Sequence, residues 1–328
     1  MSQPIDSVCV VGAGAVGGLV GGRLIDAGVD VTLVDRGEQL EALRQGGLTL
    51  IGADGSRTRF PDVDATGDTG EAGVHDLVVL SVKAYDLPGA ARSLPPLLGP
   101  DTVVLPLQNG IPWWYFHAHP EGYEDRDLEA LDPDGVIRDH VPGGRVVGCV
   151  AYVAASVVEP GVVHHREGGS LPVGDPDGSR SARAAAVSEL LGAAGFRSRV
   201  LEDIRSEIWL KAWGSLAFNP LSALTGATLE EICRHPQTRT LVRDMMEEAR
   251  PVAEDLGASF RRSVDRRIDG AESVGAHRTS MLQDLEAGRR LEVEALVGSV
   301  LELARLTGRP APRIEAVYAA TKLLDDRR

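Results

Sequence analysis

The sequence predicts an α/β fold. Its N-terminal domain has a mostly parallel sheet with helices on both faces, and an all-helical C-terminal domain follows. Three observations carry this. A glycine-rich stretch, "VVGAGAVGGLVGGRLIDAGVDVTLVDRG" over residues 10–37, joins two short β-branched runs. Strand-like and helix-like segments then alternate as far as residue 201. Past Glu202 the strand signal stops and helical periodicity remains.

The first run, "SVCVV" from Ser7, reads as a buried strand, and "VDVTLV", ending at Asp35, as the second. Between them lie the turn Gly12, Ala13, Gly14, Ala15, Val16, Gly17 and a small-residue helix. Strand, glycine turn, helix and strand within about thirty residues form the Rossmann-like pattern that binds a dinucleotide. The three glycines serve a tight turn, the close approach of a pyrophosphate, and close helix–strand packing. The helix N-terminus offers unpaired N–H groups and a positive dipole end to phosphate. The bland alternative is a glycine-rich turn that binds nothing. Asp35 lies about twenty residues beyond the glycines, where a carboxylate accepts from the adenosine ribose hydroxyls. The cofactor is therefore NAD(P)H, with NADH favoured by Asp35, although Arg36 can instead clamp a 2′-phosphate.

The runs "GLTLI", "SRTRF", "DLVVLSVK", "TVVLPLQNG", "VVGCVAYVAAS", "GVVHH" and "SLPVGD" continue the strands. "GEQLEALRQGG", "LPGAARSLPPLL" and "SARAAAVSELLGAAG" are the helices, and "FRSRVLE" reads as one more strand. The later runs lack long helices between them, so part of the sheet is expected to be antiparallel. "DIRSEIWLKAWGSLAFNPLSALTG", "TLEEICRHPQTRTLVRDMMEEARPVAEDLG" and "MLQDLEAGRRLEVEALVGSVLELARLTG" are helical, with a break or kink expected at Pro220. The expected domains are 1–201, which binds the dinucleotide, and 202–328, which binds substrate and dimerises. A cleft between the halves is the expected ligand site.

Composition narrows the partners. The 328 residues are 43% hydrophobic and 25% charged, ordinary for a globular protein, and long enough for two cores. A net charge of −14 argues against nucleic acid or anionic membrane as a partner. No apolar run reaches the roughly twenty residues of a membrane span. "MSQPIDS" leads straight into the first strand and leaves no room for a secretory signal, so a cytoplasmic location is expected. Cys9, Cys149 and Cys233 are scattered and read as buried reduced thiols, and no metal-binding spacing is present.

Four stretches carry candidate chemistry. Lys83 in "SVKAYD" and Asn109 in "PLQNG" end successive strands, the edge where open α/β sheets bind ligands; alone, each is an ordinary turn residue. Lys211 stands in "EIWLKAWGSLAFNP" with Trp209 and Trp213 two residues away on either side. It snorkels from a core, or else it faces a carbonyl oxygen together with Asn219, two helical turns on. Burial between the tryptophans would lower its pKa. In "SMLQDLEAGRRLEVEAL", Ser280 and Glu292 can share a face, while Arg289, Arg290 and Glu294 fit a solvated surface equally well.

"VVGAGAVGG", "SVKAYD", "LQNGIP", "IRSEIWLKAWGSLAFNPLSALTG" and "SMLQDLEAGRRLEVE" occur in this order over nearly the whole chain. In these motifs the sequence resembles the ketopantoate reductases, the 2-dehydropantoate 2-reductases. The resemblance implies a dimeric, nicotinamide-dependent reductase of a 2-oxo acid, with Lys211 as the catalytic lysine and, since the family commonly prefers NADPH, a cofactor choice opposed to the NADH reading of Asp35. It further implies that Lys83 and Asn109 lie by the nicotinamide and the substrate, that Asn219, Ser280 and Glu292 hold substrate, and that Glu292 also meets the cofactor. Ser215 and His277 stand at substrate-wall positions where the family often has asparagine. The segment from Trp113, "WWYFHAHPEGYEDRDLEALDPDGVIRDHVPGG", is longer than in short members and forms a lid, a pocket wall or a surface excursion. These departures admit a bulkier 2-oxo acid than ketopantoate. A β-hydroxyacid or opine-type dehydrogenase shares the two-domain plan, as does a non-catalytic nicotinamide-binding sensor. A methyltransferase leaves the helical half unexplained.

Overall fold

The computed structural model describes residues 4–120, 122–124 and 126–328, so the first three residues of "MSQPIDS" and positions 121 and 125 of the long segment lie outside the described residues. The chain begins with β1 (Ser7–Val11), α1 (Ala15–Asp26), β2 (Asp30–Val34) and α2 (Gly37–Gly46). Next come β3 (Leu48–Ile51), β4 (Arg57–Phe60), β5 (Asp64–Thr66), α3 (Thr69–Ala72), β6 (His75–Leu80), α4 (Leu87–Ala91) and β7 (Leu98–Pro106). Five of these strands form a parallel sheet in the order β5-β2-β1-β6-β7, with Val8 paired to Val31 on one side and Leu77 on the other. The chain leaves β1 for β2 on one flank and later returns to β6 on the other. The glycine turn therefore sits at the switch point of the sheet, where such folds bind ligands.

After α5 (Val136–His140), β8 (Gly148–Cys149), β9 (Tyr152–Glu159), β10 (Val162–Ser170) and β11 (Val173–Gly174), helix α6 (Ala182–Ala193) opens at Ser181, whose side chain accepts from the Ala184 N–H. The antiparallel pairing is not part of the parallel sheet, as the sequence pattern suggested. It belongs to a second sheet, β4-β3-β10-β9, and a two-stranded one, β11-β8. "FRSRVLE" is not a strand. It makes isolated bridges to Ser170 and Val173, carried by main-chain bonds such as Leu171 N–H to the Arg197 carbonyl and Leu201 N–H to the Val173 carbonyl.

The chain divides into two compact units: residues 1–108, 116–120 and 135–204, and residues 109–115, 121–134 and 205–328. This differs from a single cut after residue 201, because two pieces of the segment after Gln108 join the helical unit. The first unit has an aliphatic core that includes Val8, Val10, Leu19, Leu33, Leu77, Val79 and Leu105. The second contains α7 (Ile204–Thr225, all but its first residue), α8 (Leu229–Arg234), α9 (Pro236–Asp255), α10 (Val264–Glu272) and α11 (Ser280–Glu286). It ends with a π-helical turn (Glu294–Gly298), α12 (Ser299–Thr307) and α13 (Pro312–Asp326). α9 packs against α8, α10, α12 and α13.

Pro220 does not break α7, contrary to expectation; the helix runs through Asn219 and Pro220 to Thr225. Proline removes one main-chain bond, but Leu216, Ala217, Phe218 and Leu221 around it are all buried and hold the turn by packing. Proline does separate α8 from α9, where His235 is extended before Pro236. No helix among the described residues is long and apolar enough to cross a membrane. Cys9, Cys149 and Cys233 are buried thiols outside any disulfide.

Candidate active site

In the glycine turn each small residue answers to a different neighbour. Gly12 has φ +93°, and a Cβ there would lie 2.8 Å from the Val82 nitrogen. A Cβ on Gly17 would collide with the Gly12 carbonyl oxygen and the Ser81 hydroxyl, which itself donates to that carbonyl. Gly14 is different. Its φ is −75°, and nothing lies within 4 Å of its Cβ position. No neighbouring atom excludes a Cβ there, whereas a pyrophosphate approaching the helix N-terminus would. The turn therefore fits a dinucleotide. Ala13 is buried, Ala15 and Val16 are half-buried, and the Gln39 amide braces the turn by donating to the Ala13 carbonyl at 2.6 Å.

Asp35 follows β2 and is half-buried. Burial pushes its carboxyl above the usual range, opposed by bonds accepted from the Arg36 and Ala13 N–H groups. The Arg36 side chain is 82% exposed and pairs with Asp86 at 3.0 Å. Asp86 ends the short 3₁₀ turn Ala84–Asp86, and Lys83 immediately precedes that turn. Gln108 donates to the Leu80 and Val82 carbonyls, both at 3.1 Å, fixing the exits of β6 and β7. Leu80 pairs with Pro106, and Lys83 and Asn109 each stand three residues beyond a member of that pair. Sequence reading missed Ser81, Gln39, Asp86 and Gln108. Ser81 and Asp86 open and close "SVKAYD" and Gln108 lies within "PLQNG", whereas Gln39 lies in none of the quoted family motifs.

In the helical unit, the Lys211 ammonium donates to Asn109 Oδ1 at 2.6 Å. Asn109 is fixed from behind. Gly110 (φ +88°) presses so closely on Ala295 that a Cβ would collide with its carbonyl oxygen. That oxygen, in the π-helical turn, accepts from the Ile111 N–H at 3.3 Å and the Ser299 hydroxyl at 2.9 Å. Tyr115 ties the same stretch to α7: its hydroxyl accepts from Trp209 Nε1 at 2.8 Å, and its carbonyl from Arg205 Nε at 2.9 Å. Ser215, one turn beyond Lys211, donates to the Lys211 carbonyl at 3.3 Å. Asn219 donates to the Ser280 hydroxyl at 3.5 Å.

Several expectations change here. Trp209 and Trp213 do not flank Lys211 in space, because residues two apart on a helix point about 200° away from each other. Both indoles are fully buried on the other face, and Trp213 Nε1 donates to the Met246 carbonyl at 2.6 Å, while Lys211 is half-buried. Ser280 and Glu292 do not share a helix. α11 ends at Glu286, before the left-handed Gly288, and the buried Glu292 precedes the π-helical turn. His277 lies in the loop before α11, its main chain bonded to Leu229 and Gly275. Arg289 is exposed and pairs with Asp284, Arg290 is exposed, and Glu294 binds Tyr318 and Lys322. The segment after Asn109 is no surface excursion. Trp113, Trp114, Tyr115 and Phe116 are buried, and Glu302 accepts from the N–H groups of Glu129 and Ala130.

Residues 8–178 match the family described as "Ketopantoate reductase PanE/ApbA", and residues 203–325 match its C-terminal part, "Ketopantoate reductase PanE/ApbA C terminal". The chain belongs to the ketopantoate reductase family. A 2-dehydropantoate 2-reductase of Mesorhizobium japonicum is 47% identical over 318 residues, covering 97% of each chain. A solved chain from Ralstonia solanacearum MolK2 is 37% identical, with TM-score 0.94 and 99% of both chains covered. The solved 2-dehydropantoate 2-reductase of Geobacter metallireducens GS-15 is 26% identical, with TM-score 0.85 over 97% of this chain and 99% of that one. As a ketopantoate reductase family member, the protein is a nicotinamide-dependent oxidoreductase acting on CH–OH groups.

Proposed function

We propose that the protein reduces a 2-oxo acid to the 2-hydroxy acid, with 2-dehydropantoate or a bulkier analogue as substrate and NADH as the favoured cofactor. The observation that carries this reading is the Lys211 ammonium held at 2.6 Å on Asn109 of a rigidly anchored loop. Gly12, Ala13, Gly14, Ala15, Val16 and Gly17 hold the pyrophosphate, and Asp35 accepts from the adenosine ribose hydroxyls. Lys83, Asn109 and Glu292 serve the nicotinamide end. When bound, the reduced nicotinamide supplies a hydride to the carbonyl carbon of the substrate.

Negative charge grows on the carbonyl oxygen, and Lys211 stabilises it and transfers a proton from Nζ to that oxygen. Asn109 restrains the ammonium, so little ordering remains to be done in the transition state. Ser280 and Asn219, already in contact, hydrogen-bond the substrate carboxylate and hydroxyls. Glu292 accepts from a substrate hydroxyl, and Ser215 and His277 shape the wall.

The test is a panel of 2-oxo acids of rising bulk with NADH and NADPH, followed at the nicotinamide absorbance. Oxidation with 2-dehydropantoate or a branched 2-oxo acid is expected, and silence across the panel overturns the proposal. Asp35→Ser should move the cofactor ratio toward NADPH. A tenfold wild-type preference for NADPH rules out the NADH assignment.

The assembly we propose is a homodimer in the cytoplasm. Its support is not the apolar stretch "LEVEALVGSVLELARL", whose Leu291, Val293, Leu296, Val300 and Leu303 are buried within the chain itself. It is the exposure of Leu224 in α7 and Leu323 in α13 on the helical unit. Sedimentation at micromolar concentration distinguishes dimer from monomer.

A further inference from the structure

The sheet order β2-β1-β6 sets the glycine turn after β1 between two chain exits, one carrying Asp35 and Arg36 and the other Asp86. The Arg36–Asp86 ion pair, at 3.0 Å, reaches from one exit to the other across β1. We infer that Asp86 is a specificity-determining residue that works by holding Arg36, so that nucleotides with a free 2′-hydroxyl are preferred. The inference rests on reading the glycine turn and Asp35 as the dinucleotide site, and it adds to that reading the residue that disarms the nearby arginine.

The chemistry is a competition for one guanidinium. A 2′-phosphate beside Asp35 needs a cation to offset the like charge, and Arg36, the next residue, is suited to bind it in two-pronged fashion. In this chain Arg36 already has a carboxylate partner. A nucleotide with a 2′-phosphate must therefore break the pair or share it. A nucleotide with a 2′-hydroxyl meets neither cost. The Arg36 side chain is 82% exposed and Asp86 35%, so the device is of moderate strength and screened by salt.

Asp86 sits on the surface, and replacement by asparagine keeps its size. With Asp86→Asn, the ratio of kcat/KM for NADPH to that for NADH should rise roughly threefold to tenfold at low ionic strength. The rise should shrink at high salt. In an Arg36→Ala background the same substitution should have no effect on the ratio, because the group it releases is gone. Dissociation constants for both cofactors, read by nicotinamide fluorescence without substrate, should move in parallel. An unchanged ratio in Asp86→Asn overturns the inference. An equal rise with and without Arg36 also overturns it, since Asp86 would then repel the phosphate directly. If neither dinucleotide binds the wild type, the underlying cofactor reading is what has failed.

Discussion

The glycine turn of the first unit and the lysine face of α7 in the second are built in opposite ways. The turn is a single run of backbone, and the steric constraints on Gly12 and Gly17 come from the turn itself and the adjacent strand exit at Ser81 and Val82. The lysine face takes side chains from distant stretches: Asn109 lies 102 residues from Lys211, and Ser280 lies 61 from Asn219. Its backing comes from still other elements, the π-helical turn at Ala295 and the anchor at Tyr115. A site made of contiguous backbone depends on the shape of single residues. A site made by convergence depends on packing that fixes several segments at once, so its failures should be graded.

The largest effect expected on this contrast is at Gly17. Alanine there must displace the Gly12 carbonyl or the Ser81 hydroxyl, and the helix N-terminus moves with it. Gly17→Ala should lower dinucleotide affinity by more than about a hundredfold or abolish soluble expression; titration of the purified protein decides. Next is Lys211→Ala, which should reduce kcat at least about a hundredfold while dinucleotide affinity stays within about twofold. A variant with nearly wild-type turnover on the true substrate would end the general-acid role. Asn109→Ala, which leaves the ammonium but not its restraint, should cost about tenfold in kcat. An effect as large as that of Lys211→Ala would show that Asn109 is more than a restraint.

Gly14→Ala sharpens the comparison from the other side. With open space around its Cβ position, alanine should change the melting temperature little. Dinucleotide affinity should nonetheless fall about tenfold, because the methyl occupies the path of the pyrophosphate. Undiminished affinity would remove Gly14 from the phosphate site.

The same contrast explains what sequence could and could not tell. β1, its turn, α1 and β2 were legible because a β-branched run, a glycine turn and a small-residue helix are local properties. The site types at Lys211, Asn109, Ser280 and Glu292 were legible through family motifs, but their contacts were not. Linear neighbours misled twice. The tryptophans beside Lys211 in sequence are on the opposite face of α7, and Pro220 sits inside a helix that packing keeps whole. Strand-like alternation also did not reveal that "FRSRVLE" would form isolated bridges only, or that "VVGCVAYVAAS" would divide between two sheets. Pairing is decided by long-range partners such as Leu50 with Val163.

The smallest expected effect is a pH dependence of cofactor choice, and its sign follows from burial. Desolvation raises the Asp35 carboxyl above its usual range, although the N–H groups of Arg36 and Ala13 pull the other way. A raised carboxyl keeps its proton to higher pH, so on acidification Asp35 becomes neutral earlier than a surface aspartate does. Neutral Asp35 still hydrogen-bonds a ribose hydroxyl but no longer repels a 2′-phosphate. The ratio of kcat/KM for NADPH to NADH should therefore rise by about threefold as pH falls from neutral toward the range where carboxylates take up protons. The phosphate also takes up a proton on acidification, with a second pKa near ~6, and this pushes the ratio the same way. Asp35→Asn separates the two contributions, because only the phosphate titrates in that variant. Its ratio should start higher at neutral pH and change less with acidification. A wild-type ratio that falls with acid, or a slope unchanged in Asp35→Asn, would show that the charge on Asp35 does not select the cofactor.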